Sequence, residues 1–312
     1  MPAFFRVLQH TALAIAAMAL SACAPAYHVG PLPGEPTDFQ YAQLRQARIR
    51  YVEEGSGPTV VLLHGFASAI EAWDTVRPEL SKRFHTVALD LKGFGWSERP
   101  PGDYSPQAQA EMAWELLDRL GVKDAALVAH SWGSSVALAM ALQRPEQVRR
   151  VALYGAWVYE AQLPSFFLWA REPGMGEALF EAFYEQRVED RVKRGFYDSK
   201  YVTEKLLANI HASLERPGTK AAALAATRGQ AFAALEKRYP EVKAPVLLLW
   251  GEHDGVSHPA FAKRLDAELP QSTLRLYPRC GHFPMLEAAA ASLFDLLVFL
   301  DEDLFTRGRG SE

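Results

Sequence analysis

Short solid apolar runs and longer stretches of helical period take turns along this chain. Thr59–Gly65 (TVVLLHG) is apolar almost without interruption, the pattern of a strand buried on both faces. His85–Gly93 (HTVALDLKG) repeats it, Ala125–Ala129 (AALVA), Val148–Ala156 (VRRVALYGA) and Ala244–Glu252 (APVLLLWGE) read as further strands, and Ser272–Pro278 (STLRLYP) as the last. Upstream, Ala47–Gly57 (ARIRYVEEGSG) reads as a strand that ends in a turn. Between these runs lie helices. Tyr104–Val122 has Ser105 placed as the cap, Pro106 in the first turn and Gly121 at the stop. A second helix runs through Gln143, and residues 283–303 close the chain as a third.

Strands that alternate with helices predict an α/β fold, a doubly wound and mostly parallel sheet covered on both faces. From Trp157 to Tyr239 the alternation stops. Residues 176–192, 202–215 and 218–238 carry helical periodicity, and no buried strand interrupts them. This predicts a helical cap, 157–240, inserted between two strands of a core formed by 39–156 and 241–305, with 306–312 as a frayed tail.

The N-terminal residues do not fit this scheme. One basic residue, Arg6, precedes an apolar run from Ala12 to Leu20. That run is short of the roughly 20 residues that span a bilayer, and it suits the apolar region of a secretory signal peptide over 1–22. Its end, Leu20-Ser21-Ala22-Cys23, resembles the lipobox of bacterial lipoproteins. The resemblance implies that Cys23 is lipidated and anchors the protein in the cell envelope. Ala24 in the next position points to the outer membrane, facing the periplasm. The Pro- and Gly-rich stretch 23–38 is expected to be an extended tether reaching ~40 Å. With Cys23 lipidated, Cys280, the other of the two cysteines, has no intrachain partner.

Composition adds little to this but excludes something. The 312 residues are 49% hydrophobic and 22% charged, with a net charge of −4. There is ample material for a core, and no basic block that would hold a nucleic acid. The oligomeric state is open.

The chemistry gathers where apolar runs stop. In Leu127–Ser135 (LVAHSWGSS) a buried run ends at His130-Ser131, and small residues flank the turn into the next helix. Other runs end at His64-Gly65-Phe66, at Gly251-Glu252-His253-Asp254 and just before Arg279-Cys280-Gly281-His282. Parallel sheets bind ligands at the carboxyl ends of their strands, so a serine, an aspartate and a histidine fall on one edge in that chain order. A small-x-Ser-x-Gly turn between strand and helix, this order, and an upstream His-Gly together resemble the α/β-hydrolase superfamily. Asp90–Pro100 (DLKGFGWSERP) and Gly281–Glu287 (GHFPMLE) are similar to segments of its epoxide-hydrolase-like branch. The chain departs from the pattern at Ala129 and Ser134, where glycines are usual; alanine keeps the turn small.

The resemblance implies a nucleophile, Ser131, a base, His282, and an orienting acid, Asp254. The backbone N–H groups of Phe66 and Trp132 would form the oxyanion hole. Each role has a rival reading. Asp90 also follows a strand, but sits in what resembles a structural loop. His64 is expected to brace its loop, His130 to pack beside the turn, and His253 to stand by. Cys280 is expected to be a buried inert thiol, and Glu287 a support for other groups. Phe166, Phe167, Trp169, Phe180, Phe183 and Tyr184 have the spacing of cap core more than of substrate wall. Serine at 131 argues against epoxide hydrolase and haloalkane dehalogenase, whose resembling members use aspartate there.

The expected activity is hydrolysis of a small to medium, largely apolar carboxylic ester through an acyl-enzyme. A carbon–carbon bond hydrolase, a cofactor-free perhydrolase and a peptidase similar to proline iminopeptidases remain open, although the HGGPG loop of the last is replaced here by His64–Ser68 (HGFAS). A non-catalytic ligand-binding member of the fold is the reading from another class. No metal-ligand spacing and no dinucleotide fingerprint is present, so no metal and no cofactor is expected.

Overall fold

A computed structural model of the protein describes residues 25–301; Cys23, the signal-like segment before it and the 306–312 tail lie outside them. Eight strands form one sheet: β1 (Gln40–Gln43), β2 (Arg48–Glu54), β3 (Thr59–Leu63), β4 (His85–Leu89), β5 (Ala125–His130), β6 (Val148–Tyr154), β7 (Val246–Gly251) and β8 (Ser272–Tyr277). Their order is β1-β2-β4-β3-β5-β6-β7-β8. β1 and β2 pair antiparallel, as do β2 and β4, and all later pairings are parallel. β1 escapes a reading of the sequence because its four residues, QYAQ, carry no apolar run and pair only at the sheet edge.

The unbroken apolar runs follow from the layers. Val61, Leu63, Leu127 and Ala129 face one core cluster, while Val60, Leu62, Ala126 and Val128 face another on the opposite side. With both faces covered, alternation has no polar side to show. The helix Pro106–Arg119 starts as its residues demand: Ser105 accepts the Ala108 N–H at 3.2 Å and Pro106 stands in the first turn. Gly121, just past its end, has φ +72°.

Between β6 and β7 the helices Ser165–Ala170, Met175–Phe183, Val188–Lys193, Glu204–Leu214 and Thr219–Gly229 form the cap. They are shorter than periodicity predicts. The 176–192 stretch breaks before Val188, where Arg187 takes φ +53°. The 218–238 stretch leaves the helix after Gly229, where a Cβ would stand 2.7 Å from Ser105 N. The closing helix breaks at Ala288 into Pro284–Glu287 and Ala289–Leu300. Periodicity reports which face is apolar; it is blind to a tertiary contact that ends a helix.

The 25–38 segment departs from the extended tether that its composition predicts. His28 and Arg99 exchange backbone hydrogen bonds of 3.1 and 3.2 Å. Leu32 is buried, Glu35 pairs with Arg48 at 2.7 Å, and Gly30 N–H donates to Glu98. Proline and glycine lower the cost of an irregular path, and these contacts give that path something to hold.

Candidate active site

β3 and β5 are neighbours, yet the chain leaves β3 toward β4 on one side and returns to β5 on the other. Such a reversal opens a crevice at the carboxyl ends of the two strands. The His64-Gly65-Phe66 loop and the His130-Ser131 turn both emerge there. Ser131 has φ +53°, a left-handed backbone costing on the order of 1–3 kcal/mol in a residue with a side chain. Its surroundings hold it in place: Ser131 N–H donates to Tyr154 O at 2.9 Å, and Ser131 O accepts from Ser134 N–H at 2.9 Å and Trp157 N–H at 3.1 Å. The helix Gly133–Gln143 starts so close to β3 that a Cβ at Gly133 would lie 2.4 Å from His64 O. A Cβ at Gly65 would lie 3.1 Å from Ser131 Cβ. The two loops that would supply Phe66 N–H and Trp132 N–H therefore touch across the serine.

The loops after β7 and β8 bring Asp254 and His282 together. His282 Nδ1 and Asp254 Oδ2 are 2.8 Å apart, and both residues are buried. Asp254 Oδ1 accepts from Val256 N–H at 2.8 Å and Ser257 N–H at 2.7 Å, which fixes the carboxylate as an acceptor. With Nδ1 committed to Asp254, the imidazole has Nε2 left for a proton from a hydroxyl. Sequence reasoning missed the residues that support this pair. Gly155, at φ +50°, lies directly beside it: a Cβ there would stand 3.0 Å from His282 Nδ1 and 3.2 Å from Asp254 Oδ2. Gln162 donates to Ser257 Oγ at 2.6 Å and accepts from Val158 and Tyr159 N–H groups at 2.7 Å, tying the acid loop to the chain after β6. A Gly after an apolar strand was the one visible signal; Gln162 offered none.

The rival residues are engaged elsewhere. Asp90 accepts from Ile70 and Trp96 N–H groups at 2.8 Å and from Arg50, so its carboxylate organises its own loop. His64 donates or accepts within its own surroundings only, with Nδ1 2.7 Å from Gly65 O and Nε2 accepting Leu91 N–H at 2.9 Å. His130 holds His282 O through Nε2 at 3.0 Å and lies ring to ring with His282 at 4.8 Å. His253 is exposed beside Tyr197. Cys280 is buried, and burial pushes its thiol up to about 12. Glu287 accepts from Gly281 N–H at 3.0 Å and Tyr197 N–H at 2.9 Å, so it links the histidine loop to the cap, and burial raises its carboxyl. The cap touches the same loop again where His282 N–H donates to Gly195 O at 2.6 Å.

Burial holds both His64 and His130 below the ordinary histidine range, and His282 lowers His130 further. The folded chain thus binds fewer protons at these rings than the unfolded chain. Their stabilising share is whole above the unfolded value of 6.5. It shrinks as pH falls below that, by up to about 1.4 kcal/mol per pH unit for each ring. Urea unfolding from pH 7 to pH 5 is expected to show this slope, and His130→Phe is expected to flatten it. An unchanged slope in the variant would show that His130 carries no such linkage.

The aromatic residues of the cap divide. Phe180 and Tyr184 stack at 5.0 Å in the cap's own core, while Trp169 and Phe183 are exposed. Phe167 turns inward, 5.4 Å from Phe66, whose ring also meets Trp132 at 6.1 Å. Phe66, the residue after Gly65, thus joins the cap to the loop that meets the serine turn, and Ser131 itself is only 8% exposed.

Comparison with known proteins agrees with this architecture. Residues 58–289 match the family model of the alpha/beta hydrolase fold. The chain is 30% identical over 245 residues to the 2-hydroxy-6-oxo-2,4-heptadienoate hydrolase of Pseudomonas putida, a match covering 75% of this chain and 85% of that protein. It is 27% identical over 256 residues to haloalkane dehalogenase 2 of Mycobacterium bovis, covering 80% and 90%. A thermophilic esterase from Thermogutta terrifontis has the same fold, with a TM-score of 0.73 at 24% identity over 84% of this chain and 98% of that one. By the extent of the family match, the chain belongs to the α/β hydrolase fold family.

Proposed function

We propose that the protein is a serine hydrolase that cleaves a small to medium, largely apolar carboxylic ester through an acyl-enzyme. The observation that carries this reading is Ser131 held at φ +53° on a strand-to-helix turn, at the edge where His282 and Asp254 are paired at 2.8 Å. Ser131 Oγ adds to the ester carbonyl and its proton passes to His282 Nε2. Asp254 stabilises the imidazolium. The oxyanion takes hydrogen bonds from Phe66 and Trp132 N–H groups. His282 then returns the proton to the departing alkoxide, and a water deprotonated by His282 releases the acid from Ser131.

Phe66 and Phe167, partly exposed rings that meet between the cap and the loop beside Ser131, support the apolar preference, because such surfaces bind an alkyl chain by burying it. Each methylene that fits is expected to improve binding by up to about 0.8 kcal/mol, until the space is full. The kcat/KM of a series of p-nitrophenyl acyl esters is therefore expected to rise and then fall sharply with chain length. The burst of p-nitrophenol in the first turnover should be absent from Ser131→Ala. Rates still climbing at the longest chains would point to an open groove, and no burst or turnover with any ester would remove the reading. A carbon–carbon bond hydrolase is the second reading, favoured by the 30% identical relative named as a hydrolase of 2-hydroxy-6-oxo-2,4-heptadienoate, whose oxo group offers a carbonyl for attack. We further propose that lipidated Cys23 anchors the protein to the bacterial outer membrane on its periplasmic face. The mass of the mature N-terminus tests this.

A further inference from the structure

We propose that the exposed apolar side chains of the first two cap helices, Leu168, Trp169, Met175 and Phe183, together with Tyr27 and Val29 of the segment that docks on the cap, lie on the lipid bilayer. The proposal rests on the anchoring of Cys23 and goes beyond it, because an anchor by itself leaves the orientation of the protein free.

The first argument is the length of chain available. Cys23 is two residues ahead of Pro25, and two residues reach at most about 7 Å. From Pro25 onward there is no slack. Pro25, Ala26 and Tyr27 line a groove on the cap with Glu181, Leu214 and Arg216. His28 then lies so close to the cap that a Cβ on Gly218 would stand 2.8 Å from its backbone N. The pairing of His28 with Arg99 and the burial of Leu32 continue the attachment into the core. A lipid on Cys23 would therefore bring the bilayer to the cap and not to the opposite end of the sheet.

The second argument is what the cap presents there. Among the described residues nine large apolar side chains are exposed, and six of them lie on the 25–38 segment or on the first two cap helices: Tyr27, Val29, Leu168, Trp169, Met175 and Phe183. The inward residues of the same helices, Ala170, Phe180 and Tyr184, already fill the cap core with Ala223 and Leu224, so the outward ones are not needed for packing. Tryptophan and tyrosine suit the boundary between lipid and water, and an apolar patch of this kind marks an interaction surface.

The third argument is charge. Glu177 is paired with Arg228 at 2.8 Å, and Glu181 and Glu185 with Lys220 at 3.1 and 3.5 Å. Two cations thus offset two of these three carboxylates, and no excess of positive charge is left beside the helix Met175–Phe183. The face then suits a zwitterionic lipid surface, held by burial and not by basic residues. Phe167, one helix position from Leu168, reaches Phe66. The helix that would touch the lipid thus also contacts the His64-Gly65-Phe66 loop.

The test uses full-length protein purified from membranes, with its N-terminus read by mass spectrometry, in phosphatidylcholine vesicles whose acyl chains carry bromine quenchers. An environment-sensitive fluorophore is placed on Trp169→Cys or, as a control, on Phe294→Cys, which replaces an exposed residue of the closing helix. Buried Cys280 does not compete for the label. On lipidated protein we expect the label at 169 to lose most of its emission and the label at 294 to keep it. Equal emission at the two positions would overturn the surface while leaving the anchor standing. If the N-terminus carries no lipid, the anchor reading falls. Flotation of that protein with the vesicles then decides the surface. Weakening by about tenfold for each of Trp169→Ser and Phe183→Ser supports it, and binding indifferent to both overturns it.

Discussion

Replacing Ser131 with alanine is expected to lower kcat by roughly 10⁴- to 10⁶-fold, with the fold and the substrate affinity retained. His282→Ala is expected to match it. Asp254→Asn should fall at the lower end of that range, because the amide would still fill the space between Val256 and Ser257 N–H groups but would present the wrong partner to His282 Nδ1. The three side chains act as one unit, so the double variant Ser131→Ala/His282→Ala should be no slower than either single variant. Steady-state kinetics with the best ester of the acyl series, alongside circular dichroism of each variant, checks this. A near-wild-type rate for Asp254→Asn would mean that the acid is carried by another loop. Independent, multiplying losses would mean that the three groups do not act as a unit.

Gly133→Ala is expected to damage stability and turnover together. Its new Cβ would lie 2.4 Å from His64 O and 2.6 Å from Leu63 O, both backbone atoms that no rotamer change can move. The end of β3 would have to withdraw, and the Phe66 N–H would move with it. Overpacking of this kind costs about 1–3 kcal/mol of stability. Displacing one oxyanion donor costs about 10²- to 10³-fold in kcat. The expected outcome is thus a lower urea midpoint together with a fall in kcat and little change in KM. Loss of stability with an unchanged kcat would separate the helix start from the oxyanion loop and would remove Phe66 from its proposed role. Gly65→Ala is a milder comparison, because its Cβ would meet the side chains of His130 and Ser131 at 3.0 and 3.1 Å.

The chain by itself determined the class of fold and named the candidates for its chemistry. Solid apolar runs such as Thr59–Leu63 and Val246–Trp250 can only be strands covered on both sides, and their alternation with periodic segments leaves a parallel sheet as the solution. Because such sheets place ligands at one edge, the residues that end each run, Ser131, Asp254 and the later His282, were legible as a group before any distance was known. Local signals sufficed where the determinant is local, as at Ser105 and Gly121 around one helix. The tertiary structure alone decided what depends on contacts between distant segments. It paired His282 with Asp254 while Asp90 was taken up by its own loop. It set Gly155 beside that pair and Gln162 against Ser257 of the same loop, and it broke the cap periodicity at Arg187 and Gly229. It also folded the Pro- and Gly-rich 25–38 segment back onto the cap and Arg99, although its composition suits an extended path just as well. The physical reason is the same in each case. Periodicity and composition report a residue's own preference for water or apolar surroundings, whereas a hydrogen bond or a close approach depends on a partner that can lie a hundred or more residues away in the chain.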